Sequence, residues 1–459
     1  MAAAQTPPAS AARVLAPGRR RRGERLSPAL LLGLCAVYLP LAALPAAPGS
    51  VLVLATAGGS PAWLLGPLAS FGSGAAAGPR AGVAFYSGLC LALVLYAGVL
   101  ARATALSRFH LVAAIGGLHV LFALAPPLLS QDVFSYIAYA RLEVVHGLNP
   151  YTHPPLDIPG DPVFGFAGSK DAVSVYGPLF TLLTEPLAGI GVPGALWVLK
   201  ATMALASLGI VALVWRGASA LGADPRPAAA TVGLNPDVLV HVVGGAHNEA
   251  LVMLLVTAGV VAYAGGRPRG GASLATVAAG LKASAGLVLP FLVLGAGRAR
   301  RRGMNALHAP VGVAMAAAAV TAAIALVGLV GFGREALDAF DLINSNQGRS
   351  SRFSFPYKTA QLLGALGPGD RLDYRSGVRV AYGLAFLATF AALAWRTWRG
   401  ADPIAMAGWA TLAILVASAW LVPWYLLWLL PLAALADDRR LLWASVALTA
   451  WTLAIAIPF

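Results

Sequence analysis

Charged side chains are scarce in this sequence. Asp, Glu, Lys and Arg make up 11% of the 459 residues, hydrophobic residues make up 59%, and the mean hydropathy is +0.76. Soluble globular domains carry roughly 25% charged residues, so this composition excludes a soluble chain. Apolar stretches of about 20 residues, the length that crosses a bilayer as a helix, recur as far as the C-terminus.

The alternating apolar segments of about ten residues that form a membrane β-barrel are also missing. The apolar stretches are instead continuous and rich in Ala, Leu and Val. In lipid only helices and closed barrels satisfy the backbone. The sequence therefore predicts an all-α polytopic membrane protein with about 11 to 13 transmembrane helices. Residues 27–459 are predicted to form one integral membrane domain, whose extracytoplasmic loops at about 47–81, 130–176 and 333–375 carry short surface helices.

Only two cysteines, Cys35 and Cys90, are present, and both lie in apolar stretches. The sequence contains no disulfide framework, zinc-type cluster, Walker loop, nucleotide-binding glycine fingerprint or nucleophile elbow. We therefore expect no bound metal or cofactor, and a requirement for a divalent metal stays open. A soluble nucleotide-sugar domain is missing too, so if the protein is a transferase, its donor must be membrane-borne.

Acidic residues are fewer than basic ones, and the formal net charge is +14. The arginines lie in short clusters between apolar stretches, so membrane topology explains them better than a nucleic-acid partner does. The arginine-rich residues 1–26 are predicted to be a disordered cytoplasmic tail. A cleaved secretory signal is the competing interpretation, because arginines, an apolar stretch and small residues follow in order. With the tail inside, more than half of the 18 acidic residues face the outer side, where we expect the chemistry.

The most informative polar segment spans residues 130–151. A helix that begins at Asp132 would carry Tyr136, Tyr139 and Glu143 on the same face as the acid, beside an apolar face. Such a helix would lie on the membrane surface and offer a carboxylate and two phenols to a cavity. The carboxylate could equally cap the first turn of the helix, and the spacing alone leaves both interpretations open.

Polar residues also interrupt two later apolar stretches. His247, Asn248 and Glu249 follow a Gly-Gly break, and polar groups at membrane depth are costly, which favours a functional role. Lys282 lies inside a long apolar stretch that we expect to break there into two half-helices. It has no acidic neighbour in sequence, and it either snorkels to an interface or binds phosphate.

Trp424 belongs to a row of tryptophans that forms either an interfacial belt or a platform for a sugar.

Together these residues resemble the GT-C superfamily of polyprenol-phosphate-sugar-dependent glycosyltransferases, and most of all the actinobacterial α-1,6-mannosyltransferases of the lipomannan-backbone type. The motifs that carry the resemblance are Asp132-Val-Phe-Ser-Tyr-x-x-Tyr-x-Arg-Leu, Gly147-Leu-Asn-Pro-Tyr151, Tyr176-Gly-Pro-Leu-Phe180, Gly245-Ala-His-Asn-Glu249 and Leu281-Lys-Ala. The likeness extends over residues 28–458. Glu249 departs from the family pattern, which has Asp there, so the acid is kept but its reach changes.

The resemblance implies an inverting transfer of mannose from polyprenyl-phosphate-mannose to a mannan or phosphatidylinositol-mannoside acceptor, in α-1,6 linkage, on the outer face of the plasma membrane. Asp132 would be the base, and His247 is the rival base because it titrates nearer neutrality. Lys282 or Arg352 would bind the leaving phosphate. Sugar hydroxyls would be bound by Tyr136, Asn149 and Tyr151. The other predicted substrate-binding residues are Arg141, Tyr176, Asn248, Glu249 and Trp424.

Two other functions stay open. A transferase of the same superfamily could use another polyprenyl-linked sugar, such as arabinofuranose. A lipid-sugar flippase or transporter is less favoured, because it predicts repeated halves with matching broken spans. The sequence shows no clear internal repeat of that kind.

Overall fold

The computed structural model describes residues 17–54, 59–72, 78, 80–297, 308–336 and 350–457. The regular secondary structure of these residues is entirely helical, which confirms the predicted all-α membrane fold. Residues 1–16 of the predicted tail and residues 337–349 of the third predicted loop lie outside the described residues. The first helix begins at Pro17, within the predicted tail, and the disorder of residues 1–26 stays a prediction. Arginine is a good helix former, and the arginine run continues directly into the apolar stretch.

The helices follow one another with short connections. In chain order the α-helices are α1 (Pro17–Ala43), α2 (Ala62–Leu65), α3 (Arg80–Leu100), α4 (Arg108–Leu124), α5 (Asp132–His146), α6 (Pro178–Thr184), α7 (Gly191–Ala220), α8 (Pro225–Gly233), α9 (Glu249–Ala264), α10 (Pro268–Leu281), α11 (Leu289–Ala296), α12 (His308–Phe332), α13 (Phe355–Leu366), α14 (Arg371–Trp398), α15 (Pro403–Ala417), α16 (Leu430–Leu435) and α17 (Arg439–Ala456). A π-helix spans Val238–Gly244, and 3-10 helices span Leu44–Ala46, Gly66–Phe71, Ala103–Ala105, Pro155–Asp157, Glu185–Ile190, Ala283–Val288 and Pro423–Trp428.

Fewer helices are long enough to cross a membrane than the sequence predicted. Within the described ranges, five segments are long and apolar enough: Leu26–Ala46, Arg80–Leu100, Pro178–Ala220, Ala309–Phe332 and Arg371–Trp398. A sixth results if the π-helix and α9, which meet at 111°, are counted as one bent span. The expected number was about 11 to 13, at roughly 20 residues a span. Several of the apolar stretches are instead divided into helices of 10–17 residues, which accounts for the difference.

Two apolar cores meet along α7 and the π-helix. One core joins α5, α7, α9 and α10, and the other joins α1, α3 and α4 to the same α7. The π-helix contributes Val238 and Val242 to the first core and Leu239, Val240 and Val243 to the second. The chain that follows the π-helix is therefore held by packing on both sides.

Both predicted helix breaks are present. The π-helix ends at Gly244 and α9 starts at Glu249. The α10 helix ends before Lys282, whose backbone is extended (φ −155°, ψ 118°). Gly177 packs so closely on the backbone of Gly280 that no Cβ would fit, and its N–H donates to the carbonyl of Leu281 (3.0 Å). The Tyr-Gly-Pro motif is thereby docked beside Lys282.

Candidate active site

Two strained turns carry the central side chains of the site. Leu129 and Ala246 each have a φ of 57°, and no other non-glycine residue in the described part of the chain has a positive φ. Side chains make this conformation costly, and such strain is often found at functional sites. Ser130 and Asp132 follow the first turn, and His247 follows the second. The backbone strain therefore lies next to the predicted catalytic residues.

The Asp132 carboxylate and the His247 imidazole lie side by side, with Oδ2 of the acid 3.5 Å from Nε2 of the ring. The Nδ1–H of His247 donates to the carbonyl oxygen of His241 (2.6 Å), because a carbonyl can only accept. The other nitrogen, Nε2, lies 3.0 Å from the Ser130 hydroxyl and so faces both this hydroxyl and the Asp132 carboxylate. His247 is completely buried, whereas 39% of the Asp132 side chain is exposed. Of the two residues, only Asp132 is open to a substrate.

The charge of Asp132 follows from its neighbours. Burial by itself raises the pKa of the carboxyl, but His247, Lys282 and the Ser130 hydroxyl together lower it more, so the pKa lies below its ordinary value. The carboxylate is therefore ionised at neutral pH. The capping interpretation is not supported, because the N-cap residue of α5 is Gln131 rather than Asp132, and no side chain caps the first turn.

Aromatic rings line the site. Trp424 stacks on His247, with ring centroids 3.8 Å apart and an interplanar angle of 18°. Tyr425 stacks on Trp428 with centroids 4.2 Å apart. Gly245 is required beside this stack, because a Cβ there would collide with the preceding backbone and with the His247 ring. Trp424 therefore fixes the plane of the imidazole.

Lys282 has an acidic partner, contrary to the expectation from its sequence neighbours. Its ammonium forms an ion pair with Glu249, a residue without exposed surface. The ammonium also lies 4.9 Å from the ring centroid of Tyr425, 5.9 Å from that of Trp428 and 6.0 Å from that of Tyr176. Glu249 compensates the charge of the lysine, while 17% of the Lys282 side chain stays exposed.

The phenols of α5 are buried rather than offered to a cavity. Tyr136 is 1% exposed, and its hydroxyl accepts the N–H of Asn248 (3.3 Å). The Tyr139 hydroxyl donates to the carbonyl of Ala172 (2.9 Å). The prediction that α5 offers these phenols to a cavity is therefore wrong, because the chain after it folds over the helix. The side-chain oxygen and nitrogen of Asn248 are buried and have no hydrogen-bond partner among the described residues, which is a condition that calls for a ligand or a water.

Three predicted substrate-binding residues make polar contacts within the protein. Arg141 donates to Asp161 (2.8 Å) and so joins α5 to the following loop. Asn149 Nδ2 donates to the last carbonyl of α12 (2.7 Å), and its Oδ1 accepts the N–H of Tyr151 (3.0 Å). The Tyr151 hydroxyl donates to the carbonyl of Tyr176 (2.9 Å). These polar groups are used within the protein, and their binding of a sugar stays a prediction.

Tyr176 and Arg352 lie in different parts of the molecule. The Tyr176 ring is 5.0 Å from that of Tyr136, beside Lys282, and belongs to the site. Arg352 is exposed and donates to the carbonyl of Ala456 (3.5 Å) at the end of α17. The described residues show no contact between Arg352 and Lys282, so its role as a phosphate ligand stays a prediction.

The sequence did not single out Ser130 and Tyr425, which the structure adds to the site. A serine two residues before an acid suits a hydroxyl-to-backbone bond, and the N–H of Asp132 does donate to Ser130 Oγ (3.1 Å). Nothing distinguishes Tyr425 from the tryptophans beside it in sequence. Among the described residues, no three His, Cys, Asp or Glu side chains are grouped as metal ligands.

Two family models match the chain. Residues 37–298 match the model described as the N-terminal domain of alpha-(1->6)-mannopyranosyltransferase. Residues 175–423 match glycosyltransferase family 87. No solved structure matches the chain.

Curated relatives carry the same description. Alpha-(1->6)-mannopyranosyltransferase A of Mycobacterium tuberculosis is 33% identical over 73% of this chain and 67% of its own length. The protein of that name from Corynebacterium glutamicum is 30% identical over 37% of this chain and 35% of its own. A probable alpha-(1->6)-mannopyranosyltransferase of Mycolicibacterium smegmatis is 31% identical over 30% of this chain and 25% of its own. The chain therefore belongs to the actinobacterial α-1,6-mannosyltransferases of the GT-C superfamily, and it is a hexosyltransferase.

Proposed function

We propose that this enzyme moves mannose from polyprenyl-phosphate-mannose to a mannan or phosphatidylinositol-mannoside acceptor, in α-1,6 linkage and with inversion, on the outer face of the plasma membrane. A lipid-borne donor is supported by the position of the site at breaks between apolar helices. It is supported further by the lack of a nucleotide-binding glycine fingerprint in the sequence.

The partly exposed Asp132 carboxylate is the observation that carries the proposal. His247 and Ser130 lie beside the buried part of this carboxylate. Its exposed oxygen is therefore oriented and ionised before the acceptor binds. The acceptor hydroxyl oxygen forms a bond to C1 of the donor mannose while the bond from C1 to the phosphate oxygen breaks. The hydroxyl proton passes to Asp132, and the electron pair of the broken bond leaves with polyprenyl phosphate.

Lys282 is proposed to stabilise the leaving phosphate. Its side chain is partly exposed, and its charge acts on Asp132. Because Glu249 already compensates the ammonium, the donor phosphate shares the lysine with this carboxylate. The aromatic rings around the ammonium offer apolar surface to the sugar or to the first prenyl unit.

The test is transfer from a labelled donor in isolated membranes. Membranes from cells that overproduce the enzyme are incubated with radiolabelled polyprenyl-phosphate-mannose and short α-1,6-mannosides, and the product linkage is determined. Membranes with Asp132→Asn serve as the control. We expect an α-1,6-linked product from the wild type only. Transfer from polyprenyl-phosphate-arabinofuranose but not from the mannose donor would overturn the choice of sugar, and movement of the donor across vesicles without transfer would favour a flippase.

A further inference from the structure

A completely buried lysine lies behind the site and has no part in the chemistry proposed above. Lys200 belongs to α7, within the apolar span Pro178–Ala220, and none of its surface is exposed. Its ammonium donates to the carbonyl of Gly244 (2.7 Å) and to the carbonyl of Phe122 (3.3 Å). In the described ranges no carboxylate pairs with it. A buried ammonium is costly to hold, and a methionine would fill the same space at less cost.

The carbonyl of Gly244 connects the two strained turns. Gly244 is the last residue of the π-helix and lies two residues before Ala246. The same carbonyl accepts the N–H of Leu128 (3.3 Å), the residue before Leu129. Lys200 therefore binds the atom at which the turn before Asp132 meets the turn before His247. The carbonyl of Phe122, near the end of α4, fixes the ammonium from the other side.

We propose that Lys200 is a positioning residue of the transfer reaction. Its ammonium holds the two strained turns against each other, and this sets the distance between the Asp132 carboxylate and the His247 ring. Both turns are tied to the carbonyl of Gly244, which Lys200 holds by a hydrogen bond. Neither turn can therefore relax into a more favourable backbone conformation. The proposal rests on the role of Asp132 as the base, and it adds a residue that acts on the base without touching substrate.

The same pair of helices offers a matched control. Ser207 lies two turns further along α7, on the face that carries Lys200. Its hydroxyl donates to Nε2 of His119 in α4 (2.9 Å), and both residues are completely buried. Ser207→Ala therefore removes a buried polar contact between α7 and α4 that leads to neither turn. A residue that merely packs the helices together should behave like this control.

The experiment compares Lys200→Met, Lys200→Gln and Ser207→Ala with the wild type in lipid nanodiscs. Glutamine is neutral and too short to reach both carbonyls, so it serves if the methionine variant is not recovered. Hydrogen exchange of peptides that cover residues 126–131 and 243–248 reports on the turns. We expect faster exchange in both peptides for the Lys200 variants and unchanged exchange for Ser207→Ala. The kcat should fall roughly 10- to 100-fold, with the KM values for donor and acceptor within about twofold of wild type.

A double variant separates positioning from stability. In the Asp132→Asn background, Lys200→Met should lower the residual transfer very little, because the group that it aligns is gone. Faster exchange of the turns with unchanged kcat would overturn the proposal, and so would equal losses in the lysine and serine variants. A wild type that transfers no mannose would contradict the proposed function instead, and the exchange data would still test the tie between the turns.

Discussion

Asp132 and His247 lie 3.5 Å apart, yet their surroundings differ. Both ring nitrogens of His247 have partners within the protein, and the ring is buried under Trp424. A base must reach the acceptor hydroxyl, and only the Asp132 carboxylate has exposed surface. At the scale of the residue, the geometry favours the acid as the base and gives the histidine the task of orienting it.

Asp132→Asn tests this division of roles. The amide fills the same space as the carboxylate, so the protein should be recovered at the wild-type level. The amide takes no proton, and transfer should fall roughly 10²- to 10⁴-fold. Initial rates at saturating donor and acceptor provide the measurement. Near-normal transfer by this variant, with an inactive His247→Ala at equal expression, would assign the base to the histidine.

His247→Phe tests the orienting role through pH. Phenylalanine keeps the stack on Trp424 but removes both nitrogens. Burial raises the pKa of the Asp132 carboxyl, and His247 is the first of the groups that lower it. Removing the imidazole nitrogens should therefore raise the pKa of Asp132. The base is then deprotonated only at higher pH, and the acidic limb of the profile of kcat/KM against pH should move upward. An unchanged acidic limb would contradict the role, and activity lost at every pH would favour the histidine as the base.

At the scale of the element, the sequence predicted the helix breaks well and their surroundings poorly. The polar residues after Gly244 and the single lysine at position 282 identified both breaks, because such groups are rare inside apolar helices. The burial of α5 was not predictable from its amphipathic pattern. The amphipathic pattern describes the helix alone. The residues that bury α5 come from the following loop, which is held in place by the ion pair between Arg141 and Asp161. For the same reason, the sequence did not reveal that the phenols would turn inward.

The ion pair between Lys282 and Glu249 joins two helices at their breaks. A substitution of Lys282 therefore affects the stability of the protein as well as the binding of the donor. Lys282→Met leaves the fully buried Glu249 carboxylate unpaired, which should cost about 3–5 kcal/mol of stability and much of the protein. Lys282→Met combined with Glu249→Gln removes both charges, so the yield should recover. If the lysine binds the donor phosphate, the double variant should keep a donor KM raised about tenfold or more. A double variant with normal yield and a normal donor KM would make the pair purely structural.

At the scale of the whole molecule, the positions of the arginine clusters indicate which end of the helices faces the cytoplasm. Arg102 follows α3 and Arg108 is the first residue of α4, while Arg216 and Arg226 lie on either side of the connection from α7 to α8. Positive clusters in short loops favour the cytoplasmic side. The chain after α4 reaches Asp132 at the opposite end of that helix. Because the site and the loop of residues 147–177 share this end, their side of the membrane decides which leaflet supplies the donor.

Ser169→Cys and Ala223→Cys test this orientation in a background where Cys35 and Cys90 are replaced by alanine. Both test positions are exposed, the first in the loop over α5 and the second between α7 and α8. In intact cells an impermeant thiol reagent should label the Ser169→Cys protein, while the Ala223→Cys protein should react only after lysis. The opposite labelling pattern would reverse the predicted orientation in the membrane, and the donor would then have to come from the cytoplasmic leaflet. The chemistry at Asp132 would be unaffected, because it depends on the contacts of the carboxylate and not on the side that it faces.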